Sequence, residues 1–231
     1  PGTVLTQSGT YFKVFSQFRK ICYQYLYEQI PACLDTPQAQ ASLRINSDPI
    51  PTQVAGFAAI EPERQLLWPA GETEAQRRLA LFSQAALTDY AEQRDLPAKA
   101  GTSQISAYLV AGAISIRQCL HAALAANQGE FATGNQGVVT WVSELLWREF
   151  YVHILVGYPQ VSRHRAFKPD TEALAWRHSP KELLAWQEGR TGIPIIDAAM
   201  RQLLATGWMH NRLRMIVAMF LTKNLLIDWR E

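Results

Sequence analysis

Gly207-Trp208-Met209-His210-Asn211-Arg212-Leu213-Arg214-Met215 opens a run that stays apolar through Ile227 except at Thr222, Lys223 and Asn224. Wound as one α-helix at about 100° per residue, it gathers Trp208, Asn211, Arg214 and Met215 within an arc of about 120° and sets Leu213, Ile216, Val217 and Phe220 opposite. One face is core; the other carries polar and aromatic groups. Arg212 and Arg214 in so apolar a helix need anionic partners, because a buried charge left unpaired costs several kcal/mol. Those partners are either carboxylates elsewhere in the chain or an anionic ligand, and this stretch alone leaves both open.

A second stretch favours the ligand. VVTWVSELLWREFYVHILV, residues 138–156, also reads as a largely buried helix. On the same wheel Trp141, Glu144 and Arg148 fall within about 60°, with Trp147 on the flank beside Glu144. Two such helices facing each other would line a concave, aromatic and charged pocket, the usual form of a binding site. Of the seven tryptophans, Trp68 and Trp186 read as core filling.

With 231 residues, 48% hydrophobic and 18% charged, the chain has the composition of a soluble globular protein with a sizeable core. No run of 18 or more apolar residues and no leader pattern appears, so the reading is cytoplasmic and without a membrane partner; a monomer is expected. Cys22, Cys33 and Cys119 are odd in number and lack CxxC spacing, which suggests neither a disulfide framework nor a zinc site. The formal charge of +2 does not announce nucleic acid, but residues 141–231 hold 12 Lys/Arg against 9 Asp/Glu, and residues 1–140 hold 10 against 11. The sharpest basic cluster, Arg163, His164, Arg165 and Lys168, is either a solvated loop or a phosphate contact. The chain begins at Pro1 and stops at Glu231 directly after an apolar helix, which reads as an excerpt of a longer protein.

In order, residues 11–30 carry Phe12, Phe15, Phe18, Cys22, Tyr25 and Leu26 at helical spacing. Residues 31–69 hold six of the twelve prolines and show no period, predicting a long irregular surface loop over 31–70. Thr73 to Gln76 reads as a capping box ahead of a helix reaching about Arg94, with Leu79, Phe82, Ala86 and Tyr90 inward. Gly101-Thr102-Ser103-Gln104-Ile105-Ser106 precedes a further helix, where free N–H groups and hydroxyls suit either an ordinary cap or an anion. Ser115 to Gln118 makes a second capping box, residues 129–137 a flexible connector, Ser179-Pro180 and Ile193-Pro194 two more helix starts, and Gly189 and Gly207 two stops. Alternation is almost absent and no repeat is present, so the fold class is all-α, a single helical domain.

The strings WVSELLWREFY, GRTGIPIIDAAMRQLLATGWMHNRLRM and LLIDWRE, with GTSQIS upstream, resemble the flavin-binding helical domain of the photolyase/cryptochrome family, most closely its bacterial members acting on cyclobutane dimers. The likeness runs along nearly the whole chain and is strong from Gly101 onward; four ordered motifs at matching spacing are highly specific.

The resemblance implies FAD as cofactor, UV-damaged DNA as partner and a light-driven, redox-neutral splitting of pyrimidine dimers by an electron lent from the reduced flavin. It implies a preceding α/β domain with a folate or deazaflavin antenna, and further flavin-contacting sequence after residue 231. It assigns the FAD diphosphate to Thr102, Ser103, Gln104, Ile105 and Ser106, with Gln104 standing where many relatives carry Arg. Trp141, Glu144, Arg148, Trp208, Asn211 and Arg214 would line the flavin pocket. Glu144, Asn211 and Met215 would act on the lesion, Trp147, Arg212 and Met215 would bind DNA, and Trp176 and Trp229 would carry electrons. Phe12 would stand where a family Tyr meets the flavin phosphate region. Two other readings remain, a cryptochrome-like receptor without repair and an inert helical module.

Overall fold

A computed structural model describes every residue except Pro1, Thr36, Ala39, Gln40, Ser42, Leu43, Arg44 and Thr52. The described residues form α1 (Phe15–Glu28), α2 (Pro62–Leu67), α3 (Glu72–Ala85), α4 (Tyr90–Gln93), α5 (Ser106–Ala111), α6 (Ile116–Ala126), α7 (Gln136–Gly157), α8 (Pro180–Gln187), α9 (Pro194–Thr206) and α10 (Asn211–Met219). Short 3-10 turns follow α7, and a π-turn, Phe220–Asn224, follows α10. The one strand-like pairing among the described residues is a parallel bridge between Arg177 and Ile227. The fold is all-α, as the missing alternation predicts.

α7 is the axis. Its first half packs on α3 to α6 through Val138, Trp141, Val142 and Leu145, which join Leu79, Phe82, Leu87, Tyr90, Leu120 and Leu124 in the largest core. Its second half gives Phe150 to a cluster with Phe12 and Phe18. A separate core of Ile196, Met200, Met209, Leu213 and Val217 holds α8 to α10 together. Each such side chain contributes about 1.5–3 kcal/mol of burial, so α7 is fixed from both sides while α9 and α10 form a second body beside it.

The Ser115–Gln118 capping box forms with both reciprocal bonds. The one expected at Thr73 does not: α3 starts at Glu72 behind Gly71, and Gln76 Nε2 donates to Glu72 Oε1 instead. Nor does that helix reach Arg94. It stops at Ala85, turns through the fully buried Leu87 and restarts as α4. The turn is where α7 arrives; a Cβ on Gly137 would overlap the carbonyls of Leu87 and Thr88. The irregular 31–70 stretch contains the short helix α2, and part of it lies outside the described residues.

Residues 129–137 are not a loose connector. Asn127, itself buried, donates from Nδ2 to the Glu130 and Thr133 carbonyls and accepts at Oδ1 from the Asn135 N–H. Asn135 then caps α7 by accepting from the Val138 N–H.

The single helix expected from Gly207 onward is divided. Gly207 ends α9 in the left-handed region at φ 71°, Trp208 and Met209 are non-helical, and His210 caps α10 by accepting from the Arg212 N–H at 3.2 Å. Histidine is a rare cap, and periodicity continues across the break because Met209, Leu213 and Val217 all point to the core.

Candidate functional site

A cavity of about 880 Å³ opens between the two bodies, walled by α4, α5, α7 and the segment leading into α10. The expected residues Thr102, Ser103, Gln104, Ile105, Ser106, Trp141, Glu144, Trp147, Arg148, Trp208, Asn211 and Arg214 all line it. The volume suits a small-molecule site, which spans about 300–1,000 Å³.

One wall is a loop of donors. The N–H groups of Thr102, Ser103, Gln104 and Ile105, and the hydroxyls of Thr102, Ser103 and Ser106, have no hydrogen-bond partner among the described residues. Gln104 turns the loop in the left-handed region, φ 51°.

The floor is α7. Trp141 is buried against Phe82, with centroids 5.1 Å apart, and little of it is exposed to the cavity it lines. Arg148 reaches across to α5, its Nη2 donating to the Leu109 carbonyl at 3.4 Å, and pairs with Glu149 at 3.2 Å. Glu144 accepts from Arg94 Nη1 at 2.7 Å through Oε1; its Oε2 has no partner among the described residues. Trp147 is covered on one face by Phe15, whose ring stacks at 3.8 Å and 13°.

The opposite wall comes from Trp208, Asn211 and Arg214. The two arginines divide the alternatives left open by the sequence. Arg212 Nε donates to Asp95 at 2.6 Å, a structural carboxylate. The Arg214 guanidinium donates to the Met209 carbonyl, at 3.0 Å, and has no carboxylate partner among the described residues.

Four expected site residues stand elsewhere. Arg212 and Met215 lie side by side outside the lining, guanidinium and sulfur 4.0 Å apart, because Met215 stands one turn further along α10 than the lining residue Asn211 and Arg212 is turned toward Asp95. Trp176 and Trp229 flank the bridge where the Arg177 N–H donates to the Leu226 carbonyl at 2.7 Å, away from the cavity. Phe12 is also absent from the lining. It is buried between Phe18 and His153, and its N–H donates to His153 Nε2 at 2.9 Å.

Two tyrosines do face the cavity, Tyr151 on α7 and Tyr90, which the helical period assigns to the core stripe. Burial, reinforced by the Glu144 charge, pushes the Tyr90 phenol up to about 12, so it stays protonated and can donate. Arg94 lies over the Tyr90 ring at 5.6 Å. Trp68, expected as core filling, lines the mouth and donates Nε1 to the Thr206 carbonyl at 2.7 Å. Trp186 is packed as expected, its Nε1 donating to Val217. Nothing local in the sequence signals the Arg94–Glu144 pair, whose members are 50 residues apart.

Among the described residues the cavity thus joins a donor loop without partners, a cation without a carboxylate and aromatic walls in a helical domain, a site for a large anionic and aromatic ligand, and the chain belongs to the photolyase/cryptochrome family. Residues 141–231 match the FAD binding domain of DNA photolyase. Deoxyribodipyrimidine photo-lyase of Escherichia coli is 45% identical over 231 residues, covering 100% of this chain and 48% of the relative. The Neurospora crassa protein of the same name is 40% identical, with 100% and 39% covered. Among solved structures, a bacterial class III photolyase from Agrobacterium tumefaciens superposes with a TM-score of 0.85 at 34% identity, over 99% of this chain and 47% of the other. A Synechocystis cryptochrome gives 0.80 at 31% identity, with 94% and 45% covered. The chain thus spans about half the length, 48%, of the first curated relative.

Proposed function

We propose that the protein holds FAD in this cavity and repairs cyclobutane pyrimidine dimers in UV-damaged DNA as a deoxyribodipyrimidine photo-lyase. The observation that carries the reading is the pairing, in one cavity, of a cation without a carboxylate and a loop of unpartnered donors with a carboxylate that keeps one oxygen free, partners being counted among the described residues. The first two suit a diphosphate; the third suits a base edge.

The residues fit the cofactor. The 102–106 loop supplies N–H and hydroxyl donors, Arg148 and Arg214 supply charge, Trp141 and Trp208 supply apolar walls, and Asn211 and the Tyr90 phenol complete the polar lining. Fully reduced FAD, when bound, supplies a light-excited electron donor.

Everything else falls to side chains. A dimer inside a duplex must be turned out of the stack to reach such a cavity. Trp147, which stacks on Phe15 at 3.8 Å and lies at 5.6 Å and 29° to Tyr151, lines the cavity and stacks on a base there, a contact of about 1–3 kcal/mol. The free Oε2 of Glu144 accepts an N–H from the pyrimidine edge. Arg212 takes a flanking phosphate and Met215 beside it packs on the lesion. Trp176 and Trp229 form part of an electron path to the flavin. In this reading the protein acts as a monomer in the cytoplasm.

The test is to illuminate the reduced, flavin-loaded protein with an oligonucleotide holding one thymine dimer and to measure restored thymine. A bound flavin with no thymine restored would favour a cryptochrome-like receptor. No flavin band in the purified protein would leave only a helical module.

A further inference from the structure

A string of alternating charge runs from inside the cavity to its outer edge. Glu144 on α7 binds Arg94 at 2.7 Å; Arg94 Nε lies 3.4 Å from Asp95 Oδ1; and that same oxygen accepts from Arg212 Nε at 2.6 Å. The inner pair is the less exposed, 26% for Glu144 and 17% for Arg94 against 52% for Asp95 and 37% for Arg212 in the outer pair. The inner end is therefore the stiff, less screened one, and one Asp95 oxygen is shared by two guanidinium groups.

We propose that Asp95 is a positioning residue that latches Arg212, so that phosphate recognition at the edge is tied to base recognition at Glu144. The role rests on the DNA-repair reading above. A phosphate arriving at Arg212 competes with Asp95 for the same Nε–H. Once displaced, Asp95 has Arg94 as its remaining cation, and Arg94 drawn toward Asp95 loosens its hold on Glu144. The Glu144 carboxylate then accepts fully from an entering pyrimidine. Undamaged DNA offers the phosphate but sends no base into the cavity, so opening the latch costs an ion pair with no return. Asp95 in this way lowers binding to undamaged DNA more than to the lesion.

The flavin-loaded protein is titrated with a duplex carrying one thymine dimer and with the same duplex undamaged, and fluorescence anisotropy gives the two affinities. Asp95→Asn is expected to tighten the undamaged duplex by about two- to fivefold, the worth of an exposed ion pair, and the damaged duplex by less, narrowing their ratio. Asp95→Glu restores the ratio, and Asp95→Asn added to Arg212→Ala changes neither affinity. Equal tightening on both duplexes, or the same tightening in the Arg212→Ala background, would overturn the latch in favour of a simple change in net charge. An unsubstituted protein that fails to distinguish the duplexes would overturn the repair reading and this role with it. Nitrogen-edited NMR without DNA separates the two: the Arg212 Nε–H should be protected from exchange and lose protection in Asp95→Asn. Absence of that protection refutes the latch even where lesion binding stands.

Discussion

Asn127→Ala removes the staple that delivers α7 to the cavity. Its amide makes three hydrogen bonds, at 2.8, 2.7 and 2.8 Å, to Glu130, Thr133 and Asn135. At a net worth of about 1 kcal/mol each the loss is about 3 kcal/mol, a large part of the ~5–15 kcal/mol that holds a domain folded. The Asn135 cap on α7 loosens with it, since Asn135 is positioned by Asn127. Urea unfolding followed by circular dichroism should show a lower midpoint with an unchanged slope, the sign of altered stability without an altered unfolded state. Flavin occupancy should fall in parallel, because Trp141, Glu144 and Arg148 ride on that helix. A loss below about 1 kcal/mol would show that water replaces the staple at no net cost and that the loop does not set the position of α7.

Further outcomes follow from the site and its ionisation. Glu144→Ala should lower dimer affinity or repair yield by about tenfold, ~1.4 kcal/mol, while flavin occupancy holds; equal loss of both would make Glu144 structural. Arg214→Ala should weaken flavin binding by about tenfold with little change in urea midpoint, as a charge-assisted contact to the ligand implies; unchanged flavin affinity would remove Arg214 from the cofactor set. Acid should destabilise the fold in two steps. His153 and His210 are held below 6.5 by burial. Their contribution is full above that pH and lost as pH falls, because the unfolded chain takes up protons that the folded one refuses. Asp197 is lowered from 3.8, chiefly by its bond from the Thr191 hydroxyl, so its contribution is present above that value and lost as pH falls through the folded pKa. Urea midpoints measured at about pH 8, 6 and 5 test the first step; a flat profile there would refute it.

The sequence by itself determined the all-α class, the boundaries of α7 to within two residues, the stops at Gly207 and near Gly189, the Ser115 capping box and twelve of the cavity's lining residues. These are readable because they rest on local periodicity, on caps or on a motif whose spacing is carried in the chain. Tertiary structure decided what touches what. Tyr90 faces the cavity from α4, which starts after the turn at Leu87 and Thr88 where Gly137 arrives, while Phe12 is buried against Phe18 and His153. Arg212 is bound by Asp95 while Arg214 meets no carboxylate among the described residues. Both arginines look alike from the chain, since an ion pair across 117 residues leaves no local trace. A periodic stripe fixes which side of a helix is dry, but only the packing of the two bodies fixes which polar groups are left facing the space between them.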